Sequence, residues 1–506
     1  MSYQETYKKW CTDPYFDAQT QEELKNLEGN EKEIEDCFYR QLEFAREATL
    51  CLNANGIHTY LFESLRPTPE LSFAVRELGC IAGIVITASH NPREYNGYKV
   101  YWEDGAQITP PHDKNILAEV AKVTDFSMVK TMEEDEARAE NLFSIIGTDF
   151  DDKYIAQLKK QSIHPEAAKD MKIVYTPLHG TGNIPVRRVL RELGFTQVYV
   201  VEEQKVPDGN FPTVPYPNPE DKNAWTLALE LAKKVDADII LATDPDADRL
   251  GVHAKDTKTG EYVSFTGNMS GMLIAEYILR ERTKTGTMPE NPALVETIVT
   301  TDMAKAVAKE YNTALIEVLT GFKYIGEQIR LFDETGSHHY VFGLEESYGC
   351  LAGTYARDKD APVAVMMLCE VAAYYKLQGK TLWDAMVELY EKYGYYKEDL
   401  ATVTLKGIDG SQKITAMMNA FRENPPKELG GFKVLACRDY KSDCRRDMIT
   451  GETTSNVLYY ELENNAWCCV RPSGTEPKIK YYFGVKGENF KDAEEKLEAL
   501  KKAMTE

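Results

Sequence analysis

Short, almost uninterrupted apolar runs recur along this chain, and each is followed by a turn and then by a helix-forming segment. The clearest runs are residues 81–87 (IAGIVIT), 172–176 (KIVYT), 237–243 (ADIILAT) and 294–299 (LVETIV). A strand that lacks polar alternation is covered on both faces, and in parallel sheets helices supply that cover. The pattern therefore predicts an α/β protein whose sheets are parallel or mixed.

The length of the chain predicts several domains. A chain of 506 residues is too long for one hydrophobic core, because single cores stop growing at about 250–300 residues. Acidic stretches and stretches rich in Pro and Gly mark the seams, and the last hundred residues combine strand-like runs with a terminal helix. We expect a helical arm and a first α/β domain over 1–145, two further α/β domains over 146–288 and 289–405, and a smaller α+β domain over 406–506.

The charge balance limits the partners of this protein. The chain has 59 Lys and Arg against 81 Asp and Glu, a formal net charge of -22. Such a chain repels nucleic acids and anionic membranes, so we expect neither as a partner, and an anionic small molecule would need a local basic cleft. The first residues lack the features of a leader, and no apolar stretch approaches ~18 residues, so a cytoplasmic protein is expected. The sequence predicts no oligomeric state.

Residues 244–249 (DPDADR) directly follow one of the apolar runs. Ligands of open α/β sheets bind at the carboxyl ends of strands. In an extended segment alternate side chains face the same way, so Asp244, Asp246 and Asp248 are predicted to converge. Three carboxylates favour a hard divalent cation, above all Mg²⁺. A polar turn is the alternative, whereas an EF-hand is excluded because Arg249 stands where that loop requires glycine.

Residues 87–92 (TASHNP) end another predicted buried strand and place the Ser89 hydroxyl at the edge of a sheet. A serine needs a base or an activated electrophile to act as a nucleophile. His90 is a poor base for Ser89, because neighbouring side chains in an extended segment point to opposite sides. Orientation or a phosphate contact suits His90 better. No GxSxG elbow surrounds Ser89, which disfavours an esterase, and a serine in a turn is the alternative interpretation.

Four further segments carry groups that suit a phosphorylated sugar. Residues 471–477 (RPSGTEP) combine a guanidinium, hydroxyls and a glycine, which are the parts of a phosphate cradle, although a Pro-Gly turn would have the same composition. The others are residues 320–323 (TGFK), 343–349 (GLEESYG) and 357–360 (RDKD). The acidic pair of GLEESYG could accept hydrogen bonds from sugar hydroxyls, or it could be ordinary surface acidity.

The order of the segments TASHNP, DPDADR, TGFK, GLEESYG, RDKD and RPSGTEP resembles that of the α-D-phosphohexomutase superfamily, in particular the bacterial phosphoglucomutases with GxEESYG. The likeness extends from about residue 45 to the end of the chain. It implies four domains that each contribute one loop to a central cleft. It also implies interconversion of hexose 1-phosphate and hexose 6-phosphate through a phosphoserine. Glucose is the expected sugar; mannose and pentose phosphates stay open, because epimers differ by only about 1–3 kcal/mol of contacts.

The resemblance also implies roles for individual residues. Ser89 would carry the phosphoryl group, His90 would support it, and Lys99 would transfer a proton or balance charge. One Mg²⁺ per chain would be held by Ser89 together with Asp244, Asp246 and Asp248, and glucose 1,6-bisphosphate would be activator and intermediate. The expected substrate contacts are Arg249, Thr320, Gly321, Lys323, Glu345, Glu346, Ser347, Lys359, Arg471, Ser473, Gly474 and Thr475.

One departure from the family concerns the first domain. The family places a GTGGxRG segment and further strand-helix units early in that domain, whereas here residues 43–44 run directly into residues 45–48, which resemble a later helix. The missing material is about 60–80 residues, with an arginine near the phosphoserine and interior strands of the sheet. At ~25 cal/mol per Å², the core exposed in this way could exceed the net stability of the domain. We therefore predict a truncated first domain and a weakly active or poorly folded chain.

Two other functions follow from the same residues. A remnant that binds sugar phosphates without turnover would keep the metal and phosphate loops, and the missing arginine segment favours it. A metal-dependent phosphatase is disfavoured, because loops from all four domains are present to shield a phosphoserine from water.

Overall fold

The computed structural model describes five stretches of the chain together with Lys25, namely residues 41–167, 170–405, 408–442, 455–473 and 478–505. The helical arm predicted before residue 41 therefore lies outside the described residues, and so do Gly474 and Thr475. No helix among the described residues is long and apolar enough to cross a membrane.

The first unit contains two separate two-stranded sheets. Its strands are β1 (Thr59–Phe62), β2 (Ala82–Ile86), β3 (Tyr98–Trp102) and β4 (Phe143–Ile146). β1 pairs with β4 in parallel and β2 pairs with β3 antiparallel, and within the described residues no pairing joins the two sheets. The helices of this unit are α1 (Gln41–Asn53), α2 (Thr68–Glu77), α3 (His112–Val120) and α4 (Glu134–Ala139).

β2 is not the buried strand that its apolar sequence predicts. Ala82 is exposed, the other residues of β2 are half-buried, and Ile81 just before it is 72% exposed. A two-stranded sheet leaves one edge of each strand unpaired, and within the described residues β3 is the strand that pairs with β2. Large exposed apolar side chains are frequent in this unit: Ile57, Tyr60, Ile81, Tyr95, Tyr98, Leu117, Val120, Val123, Met128, Val129 and Ile145. Loss of the interior strands of a sheet would produce this pattern.

The second unit has a five-stranded mixed sheet in the order β6-β5-β7-β8-β9. Its strands are β5 (Lys172–Thr176), β6 (Gln197–Val200), β7 (Ile239–Thr243), β8 (Leu250–Lys255) and β9 (Tyr262–Phe265). β5 runs parallel to β6 and β7, whereas β8 and β9 are antiparallel additions. Its helices are α5 (Thr148–Lys159), α6 (Asn183–Glu192) and α7 (Thr226–Val235). β7 is buried at every position, as predicted, and DPDADR begins at its carboxyl end.

The third unit has a four-stranded sheet in the order β11-β10-β12-β13. Its strands are β10 (Pro292–Thr297), β11 (Ala314–Val318), β12 (His339–Glu345) and β13 (Gly349–Ala352). Its helices are α8 (Gly267–Thr285), α9 (Met303–Glu310), α10 (Phe322–Thr335), α11 (Ala361–Lys376) and α12 (Leu382–Tyr393). α11 is buried on almost every side, and Asp360 caps it by accepting a hydrogen bond from the Val363 N–H.

The fourth unit is a six-stranded antiparallel sheet in the order β14-β19-β18-β17-β16-β15. Its strands are β14 (Tyr395–Thr404), β15 (Glu428–Leu429), β16 (Phe432–Asp439), β17 (Leu458–Leu462), β18 (Trp467–Pro472) and β19 (Lys478–Gly487). Two helices accompany the sheet, α13 (Ile408–Glu423) and α14 (Phe490–Thr505). The predicted α+β character of this unit and its terminal helix are confirmed.

Apolar contacts join the units around a common opening. One continuous core includes Phe73 of α2, the second sheet and the third sheet. A separate core lies inside the fourth unit. A smaller cluster, with Val299 and Leu319 on one side and Tyr459 and Trp467 on the other, connects the third unit to the fourth. The loops at the strand ends therefore face one another.

We expect the backbone amides of β2 and β3 to exchange with solvent at least about a hundredfold faster than those of β5 and β7. The reason is that a half-exposed two-stranded sheet opens with little loss of buried apolar area, whereas the second sheet is buried. Hydrogen-deuterium exchange followed by mass spectrometry of peptides measures the difference. Equal protection of the two sheets would contradict the prediction.

Candidate active site

Loops from all four units line one cleft of about 650 Å³. The predicted residues among its lining are His90, Arg249, Thr320, Gly321, Lys323, Glu345, Glu346, Ser347, Lys359 and Arg471. These side chains are far apart in the sequence. The fold thus brings the segments TASHNP, DPDADR, TGFK, GLEESYG, RDKD and RPSGTEP to the same opening.

The three aspartates of DPDADR converge, but not for the reason that the sequence suggests. The segment is a turn and not an extended strand: Ala247 has a φ of 52°, and the N–H groups of Asp248 and Arg249 donate to Asp244 Oδ1 at 3.1 and 3.0 Å. The turn folds the chain back on itself, and one carboxylate oxygen from each of Asp244, Asp246 and Asp248 lies within 4.8 Å of the others. The predicted convergence is confirmed, whereas the extended alternation is wrong.

Each aspartate has one oxygen without a hydrogen bond from the described residues, and Arg249 Nε lies 3.8 Å from Asp244 Oδ2 and 3.7 Å from Asp248 Oδ1. Asp244 Oδ2, Asp246 Oδ1 and Asp248 Oδ1 are buried and accept no hydrogen bond from any described residue. Burial and the charges of Asp248 and Asp246 raise the pKa of Asp244. Buried carboxylate oxygens without hydrogen-bond partners are costly, and three carboxylates with oxygens within 4.8 Å of one another match the oxygen ligands that Mg²⁺ prefers. The residues present therefore fit a hard divalent cation.

Cations surround this cluster. Lys99 Nζ donates to Asp246 Oδ2 at 2.7 Å and to Asp248 Oδ2 at 2.9 Å. Lys359 Nζ lies 3.1 Å from Asp248 Oδ2, and Arg249 Nε lies 3.7 Å from Asp248 Oδ1. Burial lowers the pKa of Lys99, but Asp246 and Asp248 outweigh it, so the pKa of the ammonium lies above its ordinary value. The carboxylates are thus largely balanced by positive charge from three separate segments.

Ser89 and His90 are neighbours in space as well as in sequence. Ser89 has a φ of 54°, in the left-handed region, and its N–H donates to Thr87 Oγ1 at 2.7 Å. This kink ends the extended run and leaves Ser89 Oγ and His90 Nδ1 3.2 Å apart. The prediction that the two side chains point to opposite sides is therefore wrong. Burial, with help from the Arg249 charge, lowers the pKa of His90 to about 3, so the imidazole is neutral and can accept a hydrogen bond.

The acidic pair of GLEESYG is divided between two environments. Glu345 is only 5% exposed, and its Oε1 accepts a hydrogen bond from Ser347 Oγ at 2.9 Å and lies 3.9 Å from Lys359 Nζ. Glu346 Oε2 accepts from Thr297 Oγ1 at 3.0 Å. Surface acidity is thus ruled out for Glu345. Both carboxylates line the cleft.

TGFK lies at the start of α10. Thr320 Oγ1 is buried and has no hydrogen-bond partner among the described residues, and Gly321 has a φ of 117°, a conformation that favours glycine. Lys323 Nζ lies 5.1 Å from the centre of the Tyr324 ring. A buried hydroxyl without a partner at the wall of a cleft is available to a ligand.

RPSGTEP is described only in part. Arg471 lies on β18 and lines the cleft, and the Ser473 N–H donates to the Lys478 carbonyl oxygen at 2.8 Å. Gly474 and Thr475, predicted to hold phosphate, lie outside the described residues.

Three residues at the site were missed by the sequence reasoning. Lys480 of β19 stands opposite Arg471 in register and lines the cleft, and burial followed by the Arg471 charge lowers its pKa. Glu220 Oε1 lies 3.1 Å from Arg249 Nη1. Thr68 Oγ1 donates to Asp246 Oδ2 at 3.2 Å. Lys480 could have been identified from the alternation of side chains along β19, whereas no local sequence signal marks Glu220 or Thr68.

Comparison with known proteins shows which family has this architecture. Three models of the phosphoglucomutase/phosphomannomutase α/β/α domains match the chain, domain I over residues 36–126, domain II over 152–258 and domain III over 266–393. Phosphoglucomutase from Staphylococcus aureus strain RF122 is 38% identical over 472 residues, which cover 92% of this chain and 83% of that protein. The same enzyme from strain USA300 is 37% identical with the same coverage.

Solved structures show the same fold. The exocytosis-sensitive phosphoprotein pp63/parafusin from Paramecium, a phosphoglucomutase, aligns with a TM-score of 0.69 at 18% identity over 92% of this chain and 84% of its own. A phosphoglucomutase/phosphomannomutase family protein from Burkholderia thailandensis aligns with a TM-score of 0.62 at 17% identity over 92% and 93%. The predicted α/β fold and the predicted class, a phosphosugar mutase, are confirmed. This chain belongs to the phosphoglucomutase/phosphomannomutase family.

Proposed function

We propose that this chain interconverts hexose 1-phosphate and hexose 6-phosphate, with glucose phosphates as its preferred substrates and Ser89 as the phosphoryl carrier. The observation that carries the proposal is a buried cluster of three aspartates beside a cleft that holds cations from several loops, since Arg249 and Lys359 both line the cleft and lie close to Asp248. The name of the Staphylococcus aureus relatives supports glucose as the sugar. Positioning and charge neutralisation dominate phosphoryl transfer, and this cleft supplies both.

The phosphoryl group would pass from Ser89 Oγ to the free hydroxyl of the bound sugar phosphate. The sugar oxygen loses its proton as the new P–O bond forms, and the serine oxygen regains a proton as the old bond breaks. The product of this step, glucose 1,6-bisphosphate, is the intermediate and also the activator that phosphorylates Ser89. After it turns over in the cleft, its other phosphoryl group returns to Ser89. His90, 3.2 Å from Ser89 Oγ, would orient that oxygen.

Asp244, Asp246 and Asp248 would hold one Mg²⁺ through their free oxygens, together with the phosphate on Ser89. When bound, the ion supplies positive charge next to the transferred phosphoryl group. The two ion pairs of Lys99 favour charge balance over proton transfer as the role of this lysine.

The remaining loops would bind the sugar phosphate. Glu345, Glu346, Ser347 and Thr320 supply acceptors and hydroxyls that suit a sugar ring. The cations would hold the phosphates: Arg249 and Lys359 beside the aspartate cluster, Lys323 of the TGFK segment, and Arg471 together with Ser473, Gly474 and Thr475 of the RPSGTEP segment. Lys480, which stands opposite Arg471 in register, would add a further cation for the phosphate at the RPSGTEP segment.

A second candidate function, binding without turnover, is favoured by the split sheet of the first unit. The strand that leads to Ser89 is half-exposed, so the serine could be held too loosely for transfer while the other three units still bind the sugar phosphate.

We expect Ser89→Ala to lower mutase kcat/KM on glucose 1-phosphate by at least about 10³-fold, because the substitution removes the phosphoryl carrier. Turnover is measured with Mg²⁺ and glucose 1,6-bisphosphate, and in parallel on mannose and ribose 1-phosphates. Ser64→Ala is the control and keeps wild-type turnover, because Ser64 is exposed and its described side-chain hydrogen bond is with Arg66.

Intact-mass measurement after incubation with the bisphosphate adds a readout without turnover. One stable phosphate on the wild type and none on Ser89→Ala is the expected result. Turnover unaffected by Ser89→Ala would refute the mechanism. Tight binding of glucose 1-phosphate by a wild-type chain that shows no turnover would establish the second candidate.

We expect Glu346→Gln to stabilise the protein more at pH 8 than at pH 5. Burial and the charge of Glu345 raise the pKa of Glu346 from 4.5 to about 7. The folded state therefore binds more protons than the unfolded state between these values, so wild-type stability falls as the pH rises through this window. Glutamine does not ionise, so the variant lacks this pH-dependent loss of stability, which is on the order of 1–3 kcal/mol. Urea unfolding at both pH values tests it, with the exposed Glu140→Gln as control; identical pH profiles for Glu346→Gln and the wild type would contradict it.

A further inference from the structure

Thr68 connects the unit that carries Ser89 to the loop that carries the aspartates. It is fully buried at the first position of α2. Its Oγ1 donates to Asp246 Oδ2 at 3.2 Å, and its N–H donates to the Asp246 carbonyl oxygen at 2.9 Å. Two donors of one residue in the first unit therefore contact one aspartate in the second.

The local sequence explains why the backbone donor is available. The first N–H groups of a helix have no acceptor within the helix, and Thr68 occupies such a position. Pro67 before it and Pro69 after it restrict the backbone of this segment and have no N–H of their own. The Thr68 N–H is thus directed out of the helix in a preset geometry.

The hydroxyl acts on the side chain of Asp246. Asp246 Oδ2 accepts hydrogen bonds from Thr68 and from Lys99, while Asp246 Oδ1 is buried and free. Two donors on one oxygen hold the carboxylate in one orientation, and its other oxygen remains for a ligand. Lys99 is shared with Asp248, whereas the described contacts of the Thr68 hydroxyl are with Asp246 alone.

We propose that Thr68 is a positioning residue that orients the Asp246 carboxylate toward a bound divalent cation and so couples the serine-bearing unit to the metal-bearing turn. The inference rests on the magnesium site of the proposed function. Groups that hydrogen-bond to metal ligands fix the orientation of those ligands, and their loss typically weakens metal binding about 10–100-fold. The backbone hydrogen bond of Thr68 does not depend on its side chain. A side-chain substitution at Thr68 therefore tests the contribution of the hydroxyl alone.

The test is Mg²⁺ binding to the full chain, freed of metal with a chelator and measured by calorimetry without substrate. Thr68→Val keeps the shape of the side chain and removes the hydroxyl, and we expect its Mg²⁺ affinity to fall about 10–100-fold. Thr68→Ser keeps the hydroxyl, and we expect an affinity close to that of the wild type.

Thr59→Val is the matched control. The Thr59 hydroxyl is also buried in the first unit, where it accepts a hydrogen bond from Asn53 Nδ2 at 2.9 Å and donates to the Leu142 carbonyl oxygen at 3.3 Å, and its described hydrogen bonds do not involve the aspartate cluster. We expect this variant to lose stability and to keep its Mg²⁺ affinity. A purely structural role for Thr68 would give Thr68→Val the same behaviour.

Wild-type Mg²⁺ affinity in Thr68→Val would overturn the role of Thr68 and leave the metal site intact. If Thr68→Val does not fold, Thr68→Ser decides, because a tenfold loss of affinity with the hydroxyl still present would also overturn it. A wild-type chain that binds no Mg²⁺, or one whose Mg²⁺ affinity is unchanged by Asp246→Asn, would instead refute the metal site of the proposed function.

Discussion

Three buried carboxylates on one turn are the constraint on which the arrangement of this protein depends. Carboxylates taken out of water are stable only when hydrogen bonds, cations or a metal compensate them. Here the compensation comes from other parts of the chain: Lys99 and Thr68 from the first unit and Lys359 from the third. The charge balance of the turn and the docking of the units therefore depend on the same contacts. Loosening either one weakens the other.

The first unit keeps its place at the cleft although its sheet is split. α2 still packs into the shared core through Phe73, and β3 still pairs with β2 so that Lys99 stands opposite Val85 on the strand that leads to Ser89. In the part of the chain that the structure describes, little covers these strands, as the exposure of Ile81 shows. The unit that carries Ser89 is thus connected to the DPDADR turn by polar contacts of Lys99 and Thr68, while the strand before Ser89 is only half-buried.

Cations are concentrated at the cleft although the chain as a whole is acidic. The protein carries a formal charge of -22, yet Lys323, Arg471 and Lys480 meet at one opening. A low-dielectric cleft concentrates the field of such cations and attracts an anionic substrate that the rest of the surface repels. The lowered pKa of Lys480 reflects burial and the nearby Arg471, and a bound phosphate would relieve that repulsion.

The sequence by itself determined the elements whose signals are local. Apolar runs of strand length predicted β5 and β7, and the order of the motifs predicted the cleft. Tertiary structure alone decided the rest. Burial of β2 depends on neighbouring strands, the turn at Ala247 and the kink at Ser89 override extended alternation, and the Thr68 hydrogen bond joins residues 178 positions apart. Such features depend on which distant groups meet after folding, and no local periodicity records them.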